Sequence, residues 1–230
     1  MRISTCFTLA AMAASLPLSA APPPPARPYH LRLEAYPAAP FPFLSRFGSM
    51  TIDLYPHGLR AETFWLNGFS TDGASALTVE NPLNRSYSDL PLAEIAPDLQ
   101  KLSTYGSHLS DPPVVKTPVK GMVHGIAALR YRFQYGPEAW LDLWTTDVVP
   151  ENAQMRALQL EIVRGIAPAT AAALRKVRGT PLYIELNFRR FKKLELLKVK
   201  SLTFDDKGES DALKPGTLYF KAPSWDMIWK

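Results

Sequence analysis

The stretch IAALRYRFQY, from Ile126 to Tyr135, decides the fold class. Leu129, Tyr131, Phe133 and Tyr135 fall on one side of an extended chain, while Ala128, Arg130, Arg132 and Gln134 fall on the other. Successive side chains of a strand point to opposite faces, so the apolar side predicts a core and the basic side an outward surface. On that reading Arg132 is simply solvated. Gly136 and Pro137 break the run, and AWLDLWTT, Ala139 to Thr146, returns as a partner strand.

The same period appears upstream. Tyr29 to Ala35 alternates as a first strand, after which Pro37, Pro40 and Pro42 interrupt pairing. The cluster Phe41-Pro42-Phe43-Leu44 reads as a loop packed on the core. Met50, Ile52 and Leu54 alternate with Thr51, Asp53 and Tyr55, then Pro56-His57-Gly58 turns the chain. A return strand is expected over about Leu59 to Leu66, with Asn67-Gly68 as the next turn. Ala76 to Glu80 and Arg85 to Asp89 form a second pair around Asn81-Pro82-Leu83-Asn84. Repeated strand, turn and strand predict an antiparallel meander.

Helical spacing appears twice. Leu92, Ile95, Leu99 and Leu102 suit a short helix that Pro97 kinks or delays. Between Glu151 and Val177, Met155, Leu158, Ile162 and Ile166 line one side of a longer helix, and Pro168 suits the first turn of a second. Arg175, Lys176 and Arg178 would complement the dipole at its end, with Gly179 closing it. Asp111-Pro112-Pro113 opens a loop, whereas Leu182 to Phe188, Leu194 to Phe204 and Thr217 to Lys221 read as closing strands.

The first residues carry an address. Arg2 precedes an apolar run from Cys6 to Leu18, closed by Ser19, Ala20 and Ala21. A positive head, an apolar middle and a small-residue exit predict a secretory signal over residues 1–20, too short to span a bilayer. Residues 21–28 form a proline-rich spacer, and residues 29–230 a single domain. Cleavage removes the one cysteine, Cys6, so neither disulfides nor thiolate metal sites support the mature chain. It also lowers the formal charge from +5 to +4, a mild basicity that does not indicate nucleic-acid binding. No later segment is apolar enough to cross a membrane.

Trp140 to Trp144 on an aromatic strand, Gly179-Thr180-Pro181-Leu182 opening the next, and the closing Phe220-Lys221-Ala222-Pro223 form an ordered series. With the upstream meander, the series resembles exported bacterial proteins of the lipoprotein-carrier (LolA/LolB-like) superfamily, including its uncharacterised branches. The resemblance implies an α+β, mainly β fold: a strongly curved antiparallel sheet, an open half-barrel, with helices across its concave face. The sequence departs from LolB-type members in having no cysteine at the mature N-terminus.

Catalytic signals are missing. The histidines, His30, His57, His108 and His124, show no metal-ligand spacing, and there is no Gly-x-Ser-x-Gly elbow. Met122 and His124 could offer sulfur and imidazole to copper, but a turn between Gly121 and Gly125 accounts for them better. The basic cluster Arg189, Arg190, Lys192 and Lys193 reads as a solvated hairpin tip rather than a phosphate site. No catalytic residue, metal site or cofactor is therefore expected.

The expected function is non-enzymatic: a protein of the Gram-negative periplasm, or an extracellular one, binding a lipid or acyl chain between sheet and helices. Tyr131, Phe133, Trp140, Trp144, Met155, Leu158 and Ile162 would line that site. Two rivals stand beside it: an assembly or structural factor that binds outer-membrane or cell-surface proteins, and an uncharacterised hydrolase.

Overall fold

The computed structural model describes residues 27–36, 49–102, 111–189, 193–205 and 207–224. The signal segment, most of the spacer, and Phe41 to Leu44 lie outside the described residues. The strands are β1 His30–Ala35, β2 Met50–Tyr55, β3 Gly58–Glu62, β4 Asn67–Thr71, β5 Ala76–Asn81, β6 Ser86–Pro91 and β7 Val114–Val115. They continue as β8 Val119–Val123, β9 Ile126–Tyr135, β10 Ala139–Thr146, β11 Thr180–Phe188, β12 Leu194–Thr203 and β13 Phe220–Lys221. Four helices complete the chain: α1 Leu92–Leu102, α2 Ala153–Ile166, α3 Pro168–Leu174 and α4 Glu209–Ala212.

All thirteen strands join one open sheet in the order β13-β6-β5-β4-β3-β2-β1-β12-β11-β10-β9-β7, with β8 also on β9. Among the described residues every pairing is antiparallel except that of β6 with β13. The fold is α+β and mainly β, as expected. Its central join is between distant parts of the sequence, β1 with β12, with a bulge between Arg32 and Leu33.

One face of the sheet carries α2 and α3. Leu31, Leu33, Ile52, Leu54, Leu59, Leu197 and Val199 form the first core, joined by Met155 and flanked by Leu158 from α2. Each fully buried leucine here contributes about 1.5–3 kcal/mol by leaving water. Further along α2, Leu160 and Val163 pack on a second core of Phe133, Leu143, Leu174 and Val177. The helix starts where it does because Asn152 accepts the Met155 N–H at 2.8 Å through its side chain. The Asn152 amide also donates to the carbonyls of Tyr55 and Gly58, tying the helix start to the β2–β3 turn.

Several elements depart from the sequence expectation. The return strand stops at Glu62, and the turn is Thr63 to Leu66. There the Thr63 hydroxyl accepts the Leu66 N–H and donates to the Leu66 carbonyl. Asn67 and Gly68, expected as a turn, begin β4; the Leu77 side chain lies 3.1 Å from where a Cβ on Gly68 would sit. The stretch after Asp111, expected as loop, pairs with β9 as β7 and β8. The last strand is shorter than expected and parallel to β6.

Helix α3 does begin with Pro168, but it ends at Leu174. Gly179 instead opens the path into β11, with φ +88 and a virtual Cβ 2.8 Å from the Thr146 carbonyl. The cation at the end of α3 is Arg156 of α2, which donates to the carbonyls of Leu174 and Val177 at 2.8 and 2.9 Å.

Candidate functional site

The seven residues expected to line a ligand site divide between the two faces of the sheet. Tyr131 and Phe133 lie on the helix-covered face, where Phe133 is 0% exposed. Met155, at 4% exposure, and Leu158 belong to the first core, and Ile162 is half-buried on α2. Trp140 and Trp144 fall in register with Gln134 and Arg130, hence on the opposite face. The Arg132 and Arg130 guanidinium groups stack over their rings at 5.2 and 5.5 Å. Aromatic content groups these residues in the sequence; the period of two separates them in space.

That opposite face is laced with paired charges. Arg132 donates through Nε and Nη2 to both oxygens of Asp142, each at 2.7 Å, and Asp142 is 2% exposed. Arg132 is on the face the sequence predicts, but it is not simply solvated. On the neighbouring strands the Tyr183 hydroxyl lies 2.9 Å from both Glu185 and Glu195, either of which can accept its one proton, and Lys193 donates to both Tyr183 and Glu185. Burial, followed by hydrogen bonding to the carboxylates, pushes the Tyr183 phenol up to about 12, while the Lys193 ammonium is held above its ordinary range by Tyr183 and Glu185. Of the basic cluster expected at this hairpin, Arg190 and Lys192 lie outside the described residues.

Across β1 to β6 the C-terminal segment lies over this face. Arg60 donates to Glu62 at 2.6 Å, to Glu80 at 3.1 Å and to the Ala212 carbonyl at 2.9 Å. Glu80, buried, uses its other oxygen to accept the Gly216 N–H. Glu209 accepts the His57 N–H, and Lys221 pairs with Asp89. Beneath the segment is a cleft of about 490 Å³, lined by Arg32, Asp53, Tyr55, Glu62, Lys214 and Tyr219 among others. A second cleft, of about 330 Å³, lies between His124, Ile126, Val199 and Phe204. Neither is lined by the seven expected residues.

The chemistry available is that of pairing. His30 lies 2.6 Å from Asp53 and stacks on Tyr55, but Asp53 also receives Nε and Nη2 of Arg32. Among the described residues no hydroxyl or thiol hydrogen-bonds the His30 ring. No group of three metal-binding side chains occurs among the described residues. His124 sits in the turn at φ +47, as the glycine spacing suggests, whereas Met122, also exposed, lies on β8 and not in the turn. The sequence did not single out Asp53, Arg60 or Glu80. Alternation put each on a face, but only the sheet register set acid beside base.

A different surface is apolar. The β3–β4 turn projects Phe64 and Trp65, 73% and 42% exposed, as an edge-to-face pair with centroids 4.6 Å apart. Register sets neighbouring turns beside it. Asn67 pairs with Glu80, Asn81 with Ser86, and Ser86 with Phe220. Leu83 and Phe220, also exposed, therefore share one rim of the sheet with the aromatic pair.

No known protein family and no curated protein matches the chain. Among solved structures, an uncharacterised conserved protein from Thermus thermophilus superimposes with a TM-score of 0.43 and 10% identity, covering 86% of this chain and 90% of that one. MucB in complex with MucA(peri) superimposes with a TM-score of 0.38 and 12% identity, over 83% of this chain and 55% of the MucB structure's chain. At these scores neither likeness bears on ligand or partner.

Proposed function

We propose that this chain is an exported, non-enzymatic assembly or structural factor of the cell envelope that binds protein partners through the rim of its sheet. The supporting observation is the exposed set Phe64, Trp65 and Leu83 on two turns and Phe220 at the start of β13, all on one rim of the sheet. Clustered exposed apolar side chains have a cost in water that a partner relieves, and aromatic anchors carry much of the energy of protein interfaces. Export is supported by the signal-like first 20 residues, and no described helix is long and apolar enough to span a membrane. The open sheet with α2 on one face suits the half-barrel of the lipoprotein-carrier superfamily. A lipid beneath the helices would have to displace Met155, Phe133 and Leu174, which are already packed.

The test is capture of partners from the native envelope after crosslinking, comparing the natural protein with a Phe64→Ser/Trp65→Ser variant. Both residues are exposed, so folding stability should change by only about 0.5 kcal/mol per site. Loss of specific crosslinked proteins in the variant is the expected result. Unchanged capture, or a melting temperature raised by long-chain lipid, would overturn the proposal.

A further inference from the structure

The strand β8, Val119–Val123, pairs with β9 on one side and with nothing on the other among the described residues. Its hairpin closes through His124 and Gly125, both left-handed at φ 47 and 79. Two left-handed residues in a two-residue loop make the Val123–Ile126 pair the closing, hydrogen-bonded one. Bonded and non-bonded pairs alternate from there. Gly121–Ala128 is bonded inward, while Lys120–Leu129 and Met122–Ala127 turn their N–H and carbonyl groups outward. The edge thus offers two donors and two acceptors, from Lys120 and Met122.

Its side chains give that edge a sign. Lys116 and Lys120 are exposed and have no acidic partner among the described ion pairs. Arg130, opposite Val119, has only the Trp144 ring as its described partner. Alternation sets Met122, 63% exposed, on the same face as Lys120, and Val119 on the same face as Arg130, so each face of the edge carries an exposed apolar and a basic side chain. Lysine and proline on an edge protect it from self-pairing, and Pro118 limits how far any new strand extends. Two copies joined edge to edge would set one basic strip against another. An acidic strand meets no such penalty, so the devices that reject a second copy select an opposite charge.

We infer that the β8 edge accepts an extended, acidic segment of a protein partner, added as a further strand with apolar and carboxylate side chains alternating along it. Main-chain hydrogen bonds would supply affinity and the alternation register, as in other strand-addition complexes. The inference takes from the proposed function only that the ligand is a polypeptide; it does not need the rim.

The test uses the full mature chain and a blocked heptapeptide alternating Glu and Val, with a Lys/Val peptide as control. Amide exchange followed by NMR should show new protection at Lys120 and Met122, and none added at Gly121 and Val123, which are already bonded. The Glu/Val peptide should bind at least about tenfold more tightly than the Lys/Val peptide at low salt. A Lys116→Glu/Lys120→Glu variant should reverse that order. Equal binding of the two peptides, an order unmoved by charge reversal, or absence of protection at Lys120 and Met122 would overturn the inference. So would concentration-dependent dimerisation that protects the same two amides. The Phe64→Ser/Trp65→Ser variant should bind the Glu/Val peptide normally, which separates failure at the rim from failure at the edge.

Discussion

Arg132→Ala is the most informative single change in this protein. The side chain is one-third exposed, yet it supplies both described hydrogen-bond donors of Asp142, whose carboxylate is 3% exposed. Removing one member of a buried pair costs about 3–5 kcal/mol, because the other charge stays behind without compensation. Water reaching the Arg132 side lowers that figure, and loss of the contact with Trp140 adds about 0.5–1 kcal/mol. The net expectation is about 2–4 kcal/mol of lost stability. Arg132→Lys keeps the charge but loses the two-pronged geometry, and should fall between the natural protein and the alanine variant. Arg132→Ala combined with Asp142→Ala should cost less than the sum of the single changes, with a coupling of about 1.5–3 kcal/mol. Urea unfolding at neutral pH measures all five proteins, the Asp142→Ala single variant included, provided the slope with denaturant stays constant. A cost for Arg132→Ala within about 0.5 kcal/mol, as for a solvated surface residue, would refute the reasoning.

Asn152→Ala should destabilise by about 2–4 kcal/mol, since one buried side chain caps α2 and satisfies two carbonyls of the β2–β3 turn; thermal unfolding showing a loss below about 1 kcal/mol would contradict this. Toward acid, Asp89 and Glu34 matter: hydrogen bonds from Lys221 and Lys200 hold their carboxyl groups below the ordinary range. Their contribution is present above about pH 4, the unfolded value, and is lost as pH falls through the lower folded values. Asp89→Asn should flatten part of that acid slope in a series of urea midpoints. Toward alkali the sign reverses. Tyr183 is raised to about 12 by burial and its carboxylate partners, so its contribution is complete below about pH 10 and declines as pH rises through 12; Tyr183→Phe should reduce that decline.

What the sequence determined by itself is periodicity. Ile126 to Tyr135 and Ala139 to Thr146 are strands with the boundaries their alternation predicts, and Pro168 starts a helix because its fixed φ suits a first turn. Alternation also put Arg132 on the outer face. It could not say that Asp142 would lie opposite, because pairing is set between strands, and a strand carries no label for its neighbour. Local rules failed where tertiary contacts outweighed them. Gly68 looks like a turn residue, yet Leu77 fills the space above it and the strand continues. Gly179 looks like a helix stop, but the close approach of the Thr146 carbonyl is what demands it. The exposed rim follows the same logic: Phe64, Leu83 and Phe220 are far apart in the chain, and only the β4–β5 and β6–β13 registers set them side by side. Side-chain period is a property of one segment, whereas a binding surface depends on which segments become neighbours.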